Sequence, residues 1–166
     1  MTGRFRIEVL GAEHDRAGFA CGSDPLDRYV REQATQDQRR RTSVCYVAVD
    51  EQSGAIAGYY TLAASSVPLT DLDAPMARKL PRYPSVPVAR VGRLAVGLAF
   101  QGRQLGAALL WDAGQRAMQS GMGVFALVVD AKDEVAARFY RHHGFIPFSS
   151  NPLTFVLPIA TLAKKS

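Results

Sequence analysis

The stretch from Val88 to Gln119 changes its hydrophobic period once, and that change constrains the fold more than any other feature of the chain. Val88 to Val96 is a mostly apolar, β-favouring run and reads as a strand. Gln104 to Gln119 then follows a period of about 3.6 residues. On a helical wheel Leu105, Leu109, Leu110, Ala113 and Ala117 share one broad face, while Gln104, Asp112 and Gln115 lie opposite. A strand that hands over to a one-sided helix within a few residues requires a sheet for that helix to cover.

The flanking segments supply the sheet. Phe5 to Leu10 reads as a first strand, and Asp24-Pro25 opens a helix running to about Gln38. Thr42 to Asp50 and Ala55 to Ser65 form a hairpin about Glu51-Gln52-Ser53-Gly54. Leu69 to Leu80 holds a short helix, after which Pro81, Pro84 and Pro87 predict an extended, irregular connection. Beyond the central helix, Val124 to Val129 is apolar throughout, the pattern of a strand buried on both faces. Lys132 to His143 is a helix ended by Gly144, and Phe145 to Phe148 and Thr154 to Leu157 are two short strands before a tail, Ala163 to Ser166. This order predicts an α/β (α+β) fold, a mixed sheet with helices packed on it, in a single domain spanning residues 1–166.

With 166 residues, 48% hydrophobic and 21% charged, the chain has the composition of a globular domain with a full core. No apolar run approaches the roughly 18 residues of a spanning helix, and acidic residues interrupt the start before a signal-peptide core could form, so the expected location is the cytoplasm, with no membrane partner. Cys21 and Cys45 have no His or Cys at ligand spacing, which predicts free thiols and no metal site.

Charge is distributed unevenly. The net charge is +5, and no Asp or Glu stands between Ala74 and Trp111, a window holding Arg78, Lys79, Arg82, Arg90, Arg93 and Arg103. A basic face of this kind suits phosphate, on a cofactor or on a nucleic acid, and its plain alternative is a solvated arginine-rich surface. Gln38-Arg39-Arg40-Arg41 forms a second cluster.

The link between the strand and the helix, Gln101-Gly102-Arg103-Gln104-Leu105-Gly106-Ala107, is the candidate site for an anion. A helix N-terminus leaves backbone N–H groups unpaired and presents the positive end of the helix dipole, while Gly102, Gly106 and Ala107 let an anion approach the backbone. The alternative is a tight connection that needs glycine only for its geometry. Neither G-x-G-x-x-G nor G-K-[ST] is present, which argues against dinucleotide and Walker-type sites.

This stretch resembles the acetyl-CoA-binding motif of the GNAT family of N-acetyltransferases, Q/R-x-x-G-x-G/A, with Gln101, Gln104 and Gly106 in the marked places and Gln104 where glycine is usual. A second family segment follows as DEVAARFYRHHGF, Asp133 to Phe145. Ala136, Tyr140, Gly144 and Phe145 match it, and Asp133 stands where asparagine is common. The resemblance implies the GNAT fold: a mostly antiparallel sheet of six to seven strands flanked by about four helices. It implies acetyl-CoA as co-substrate, with the pantetheine arm paired along Leu94, Ala95 and Val96. The phosphates would then meet Gln101, Gly102, Arg103, Gln104, Leu105, Gly106 and Ala107, with a further contact at Asp133. It also implies Tyr140 as the general acid that protonates the departing sulfur. On the helical wheel Tyr140 falls at the edge of the apolar face, where a hydroxyl could reach a cleft, while His143 falls inside that face as a structural residue.

From Phe19 to Leu157 the chain is similar to the GNAT toxins of type II toxin-antitoxin modules. That subgroup implies acetylation of the amino group of aminoacyl-tRNA and a block of translation, with a ribbon-helix-helix antitoxin and a homodimer. No strand carboxylate stands out as a general base, which suits an α-amino acceptor of pKa about 7.7 to 8.0 better than a lysine near 10.4. Arg78, Lys79, Arg82, Arg90 and Arg93 are the candidate tRNA contacts. A small-molecule or peptide amine acetyltransferase, and a non-catalytic RNA- or protein-binding module, are the competing readings.

Overall fold

The structure, a computed structural model, describes residues 4–164; the end of the expected tail, Lys165 and Ser166, lies outside the described residues. Seven strands form one sheet in the order β1-β2-β3-β4-β5-β7-β6. They are β1 (Phe5–Val9), β2 (Val44–Asp50), β3 (Ile56–Pro68), β4 (Ser85–Val96), β5 (Ala126–Asp130), β6 (Ile146–Pro147) and β7 (Thr154–Pro158). β4 and β5 run parallel, whereas β1 with β2, β2 with β3, β5 with β7 and β6 with β7 run antiparallel. The helices are α1 (Asp24–Arg28), α2 (Ala34–Arg39), α3 (Ala74–Ala77), α4 (Leu105–Met118), α5 (Glu134–His142) and α6 (Ile159–Ala163).

The described residues form two compact units, 4–63 with 92–113 and 64–91 with 114–164. In the first, Leu10, Phe19, Val30, Val47, Ile56 and Tyr59 are buried together. In the second, Val67, Leu72, Val86, Val88, Val128, Phe148 and Val156 make a separate cluster. Ala126 to Val129 are all buried, as the unbroken apolar run predicts.

Four local readings change. The helix expected from Pro25 to Gln38 is divided by a π-helical turn, Tyr29–Gln33, where the Ala34 N–H reaches back five residues to the Tyr29 carbonyl. The expected helix between Leu69 and Leu80 is reduced to a 3₁₀ turn, Leu69–Asp71, and the four residues of α3, whose Asp73 cap accepts the Met76 N–H at 3.0 Å. The proline-rich connection is shorter than expected, because β4 begins at Ser85 and includes Pro87. Pro87 lacks an N–H, but its carbonyl takes the Phe125 N–H at 2.9 Å, so strand pairing survives there. Finally, a short helix that the sequence did not predict, α6, lies just before the expected tail and takes its first residue, Ala163, with Leu162 buried as its anchor.

Candidate active site

The turn before α4 is open to an anion. The six backbone N–H groups from Gly102 to Ala107 form no hydrogen bond among the described residues, and the first N–H of the helix with a partner is that of Ala108, bonded to the Gln104 carbonyl at 3.2 Å. Gln101 to Gln104 are exposed, Gly106 and Ala107 half-buried, and Leu105 is buried. Gly102 and Gln104 both adopt left-handed backbone, with φ of 84° and 61°. The glutamine thus holds left-handed backbone that favours glycine, at a steric cost of about 1 kcal/mol.

Gln101 supports this turn through its side chain, whose Nε2 donates to the Val96 carbonyl at 3.1 Å and the Cys21 carbonyl at 3.3 Å. Two residues that the sequence reading missed hold α4 in place. Gly58 on β3 lies under the helix: a Cβ there would stand 2.8 Å from the Ala95 carbonyl oxygen and 3.2 Å from Leu109. Tyr60, two residues on, donates its hydroxyl to Asp112 Oδ2 at 2.6 Å. A lone glycine inside an apolar strand was the available signal for Gly58, because it marks close approach of another element.

The second unit carries the two candidate residues of α5. Asp133 caps that helix: its Oδ1 accepts the Ala136 N–H at 2.9 Å, and Oδ2 lies 3.1 Å from Lys132 Nζ. The Ala136 N–H, followed by Lys132, holds its carboxyl below the usual carboxylate range. In contrast to α4, the N-terminus of α5 has therefore spent donors on its own chain. Tyr140 is buried among Phe139, Phe145 and Phe155. Burial chiefly, with help from the Asp130 carboxylate, pushes its phenol up to about 12. Its hydroxyl has no hydrogen-bond partner among the described residues, yet it is not sealed from solvent. His143 packs its ring 4.7 Å from that of Phe139, in keeping with a structural role.

The five basic candidates do not form one set. Arg78, Lys79 and Arg82 are exposed on α3's C-terminal end and the segment after it, and their side chains have no partner among the described residues. Arg90 is committed to Asp130 at 2.6 Å, on the parallel neighbour strand. Arg93 belongs to the first unit, where its guanidinium lies 3.7 Å from the centre of the Tyr29 ring.

No described cysteine forms a disulfide, and burial pushes the Cys45 thiol up to about 12. Glu8, Glu13 and His14 stand close enough to share a cation. Both His14 nitrogens are already engaged, Nδ1 by the Gly11 N–H at 2.9 Å and Nε2 by Glu8 at 2.6 Å.

A parallel strand leading through a left-handed turn into an open helix N-terminus, in a sheet of this order, defines an acyl-CoA-type transferase fold. Residues 10–145 match the model of the acetyltransferase (GNAT) family, and the chain belongs to that family. It is 35% identical over 159 residues to the tRNA-acetylating toxin of Mycobacterium tuberculosis, covering 95% of this chain and 93% of the relative. Among solved structures it is similar to AtaT complexed with acetyl-methionyl-tRNAfMet, at a TM-score of 0.89 and 27% identity, covering 98% of this chain and 99% of the other. AtaTR bound with AcCoA matches at a TM-score of 0.84 and 27% identity, covering 97% of each chain.

Proposed function

We propose that the protein is a toxin that moves the acetyl group of acetyl-CoA to the free α-amino group of aminoacyl-tRNA and so stops translation. The observation that carries the reading is the unbroken row of unpaired N–H groups from Gly102 to Ala107, a donor set that fits a pyrophosphate at a helix N-terminus. Arg103, on the same turn, adds positive charge. Similarity to a tRNA-acetylating toxin and to an aminoacyl-tRNA-bound structure supports the choice of acceptor.

In this mechanism acetyl-CoA supplies a thioester, and the chain supplies binding, orientation and one proton. The turn holds the phosphates, and the backbone of Leu94 to Val96 aligns the arm. The acceptor amine attacks in its neutral form, available near pH 8 without a dedicated base. Its nitrogen bonds to the acetyl carbon as the carbon–sulfur bond breaks. Tyr140 gives its phenolic proton to the departing sulfur and regains one from solvent as the amine loses its own. Gln101 and Asp133 act on the site through the turn and the helix cap they build. Arg78, Lys79 and Arg82 meet tRNA phosphates. A ribbon-helix-helix antitoxin, a homodimer and a cytoplasmic location complete the proposal; among the described residues no helix is long and apolar enough to cross a membrane.

Incubation with labelled acetyl-CoA and total charged tRNA tests the reading. Label that stays with tRNA and is released with the aminoacyl ester is the expected result. Label confined to free amines points to a small-molecule or peptide acetyltransferase, and RNA binding without label to a non-catalytic module; either overturns the proposal.

A further inference from the structure

We propose that Asp27 is a positioning residue for acetyl-CoA: it fixes a loop, residues 19–21, whose carbonyls hold the entry to the turn that receives the phosphates. This role rests on the reading of residues 102–107 as the phosphate site and names a group that sets its geometry from outside.

The turn has little of its own to hold it. Its N–H groups have no partner among the described residues, and a Cβ built on Gly102 would meet nothing within 4 Å. A segment with neither internal bonds nor packing takes its geometry from its two ends. One end is α4, which rests on β3 through Gly58 and Tyr60. The other is residues 98–101, a 3₁₀ turn (Leu98–Phe100) followed by Gln101.

Two consecutive carbonyls of one loop hold that entry. The Leu98 N–H donates to the Ala20 carbonyl at 2.8 Å, and Gln101 Nε2 donates to the Cys21 carbonyl at 3.3 Å. The loop is fastened at both ends. Phe19 is buried, with its ring edge-on to that of Tyr59 at 5.5 Å, and the Cys21 N–H donates to Asp27 Oδ1 at 2.9 Å.

α1 carries two acids, Asp24 and Asp27. Asp24 is exposed, the ordinary place for an acid in a first helical turn, whereas Asp27 is buried and turns its carboxylate back along the chain to Cys21. A carboxylate is costly to bury, so one held in this way is explained by the group it serves. That group is a single peptide unit. The Cys21 N–H and the Ala20 carbonyl are its two ends, so Asp27 and Leu98 bond to opposite sides of it. A carboxylate on the N–H polarises the unit and strengthens the carbonyl's hold on Leu98. Without it the N–H is left unpaired, the loop shifts, and the donors of the turn lose the alignment that hydrogen bonds to phosphate require.

The test compares Asp27→Ala with wild type on two acetyl donors, acetyl-CoA and S-acetyl-pantetheine, which keeps the thioester and has no phosphate. Asp27→Ala is expected to raise the Kd and KM of acetyl-CoA about tenfold, the loss of one hydrogen bond to a carboxylate. With S-acetyl-pantetheine kcat/KM should change less than about threefold, and so should the KM of charged tRNA, because the binding lost is that of the phosphates alone. Asp27→Asn keeps an acceptor for the Cys21 N–H and should restore acetyl-CoA affinity to within about threefold of wild type. Leu98→Pro removes the donor on the other side of the same peptide at an exposed position where proline suits the start of a turn, and it should weaken acetyl-CoA to the same degree. The double variant Asp27→Ala, Leu98→Pro should be no more than about twofold worse than either single one, since both act through one peptide. Should Asp27→Ala fail to fold, Leu98→Pro decides on the same two donors. Equal losses on both donors, an unchanged acetyl-CoA Kd, an asparagine variant as weak as alanine, or effects that multiply in the double variant each overturn the role of Asp27. A wild-type protein that uses S-acetyl-pantetheine as well as acetyl-CoA removes the phosphate-site reading itself, a result distinct from these.

Discussion

Tyr60 and Asp112 share a hydrogen bond of 2.6 Å that ties β3 to the middle of α4, the helix whose first turn carries the open N–H groups. Gly58, two residues earlier, lets that helix approach the strand. The position of that turn is thus set from beneath by β3.

Tyr60→Phe removes the tie with little change in shape. A hydrogen bond to a carboxylate contributes about 1.5 to 3 kcal/mol, so thermal unfolding should occur some 4 to 10 °C lower. Calorimetry measures the loss, and acetyl-CoA titration of the folded variant should show a several-fold weaker Kd. An unchanged melting temperature would show that the bond is not formed in solution.

Gln104 holds a φ of 61°, so the side chain at this position decides how much strain the turn stores. Gln104→Gly should retain acetyl-CoA affinity within about twofold and leave stability within about 1 kcal/mol of wild type, because relief of strain is offset by backbone entropy. Gln104→Val should be worse on both counts, since a β-branched residue resists left-handed backbone. Denaturant melts and cofactor titration of the pair separate conformation from chemistry, and equal behaviour of valine and glycine contradicts the role of backbone geometry.

The Tyr140 hydroxyl makes no hydrogen bond with a described residue, so its loss should cost the fold little. Tyr140→Phe is expected to lower kcat by about 10² to 10⁴, the usual contribution of a positioned acid, with acetyl-CoA affinity unchanged. Single-turnover kinetics with charged tRNA measures this, and undiminished turnover removes Tyr140 from the mechanism.

The pH profile follows from two groups of opposite requirement. The acid must keep its proton, and Tyr140, raised to about 12, does so throughout the neutral and mildly alkaline range. The amine must lose its proton, which happens as pH rises through about 7.7 to 8.0. The rate should therefore rise to a plateau above pH 8.5 and show no descending limb from Tyr140 below about pH 11. Rates on a hydrolysis-resistant amide-linked acceptor give the profile free of ester loss, and a fall between pH 8 and 10 would show that the acid titrates lower.

Arg78, Lys79 and Arg82 are exposed and unpartnered, whereas Arg90 pairs with Asp130 through Nη1. Replacing the first three by Glu should raise KM for charged tRNA by at least about 30-fold at low salt and flatten its salt dependence, with acetyl-CoA KM within twofold. Arg90→Gln should disturb stability more than tRNA binding. Matching losses for both substrates in the triple variant would point to misfolding.

Much of this site was legible before the fold was known, because its logic is local. The glycine-bearing link of Gln101 to Ala107 between a strand and a one-sided helix is enough to predict unpaired donors. The capping role of Asp133 was equally within reach, since an acidic residue just ahead of an apolar helical run is a standard start signal. The platform under Arg93 was not. Tyr29 lies far from Arg93 along the chain, and its orientation depends on a π turn that no periodicity announces.

The sequence by itself determined most of the strands, the two long helices, their order and the open turn, since each depends on interactions within a few residues: apolar period, glycine conformation and unsatisfied helix ends. Tertiary structure alone decided which charges are available. Arg90 and Arg93 stand three residues apart on one strand, yet one pairs with Asp130 and the other lies on Tyr29. Pairing of that kind is set by strand register and core packing, which bring together residues that local sequence keeps apart.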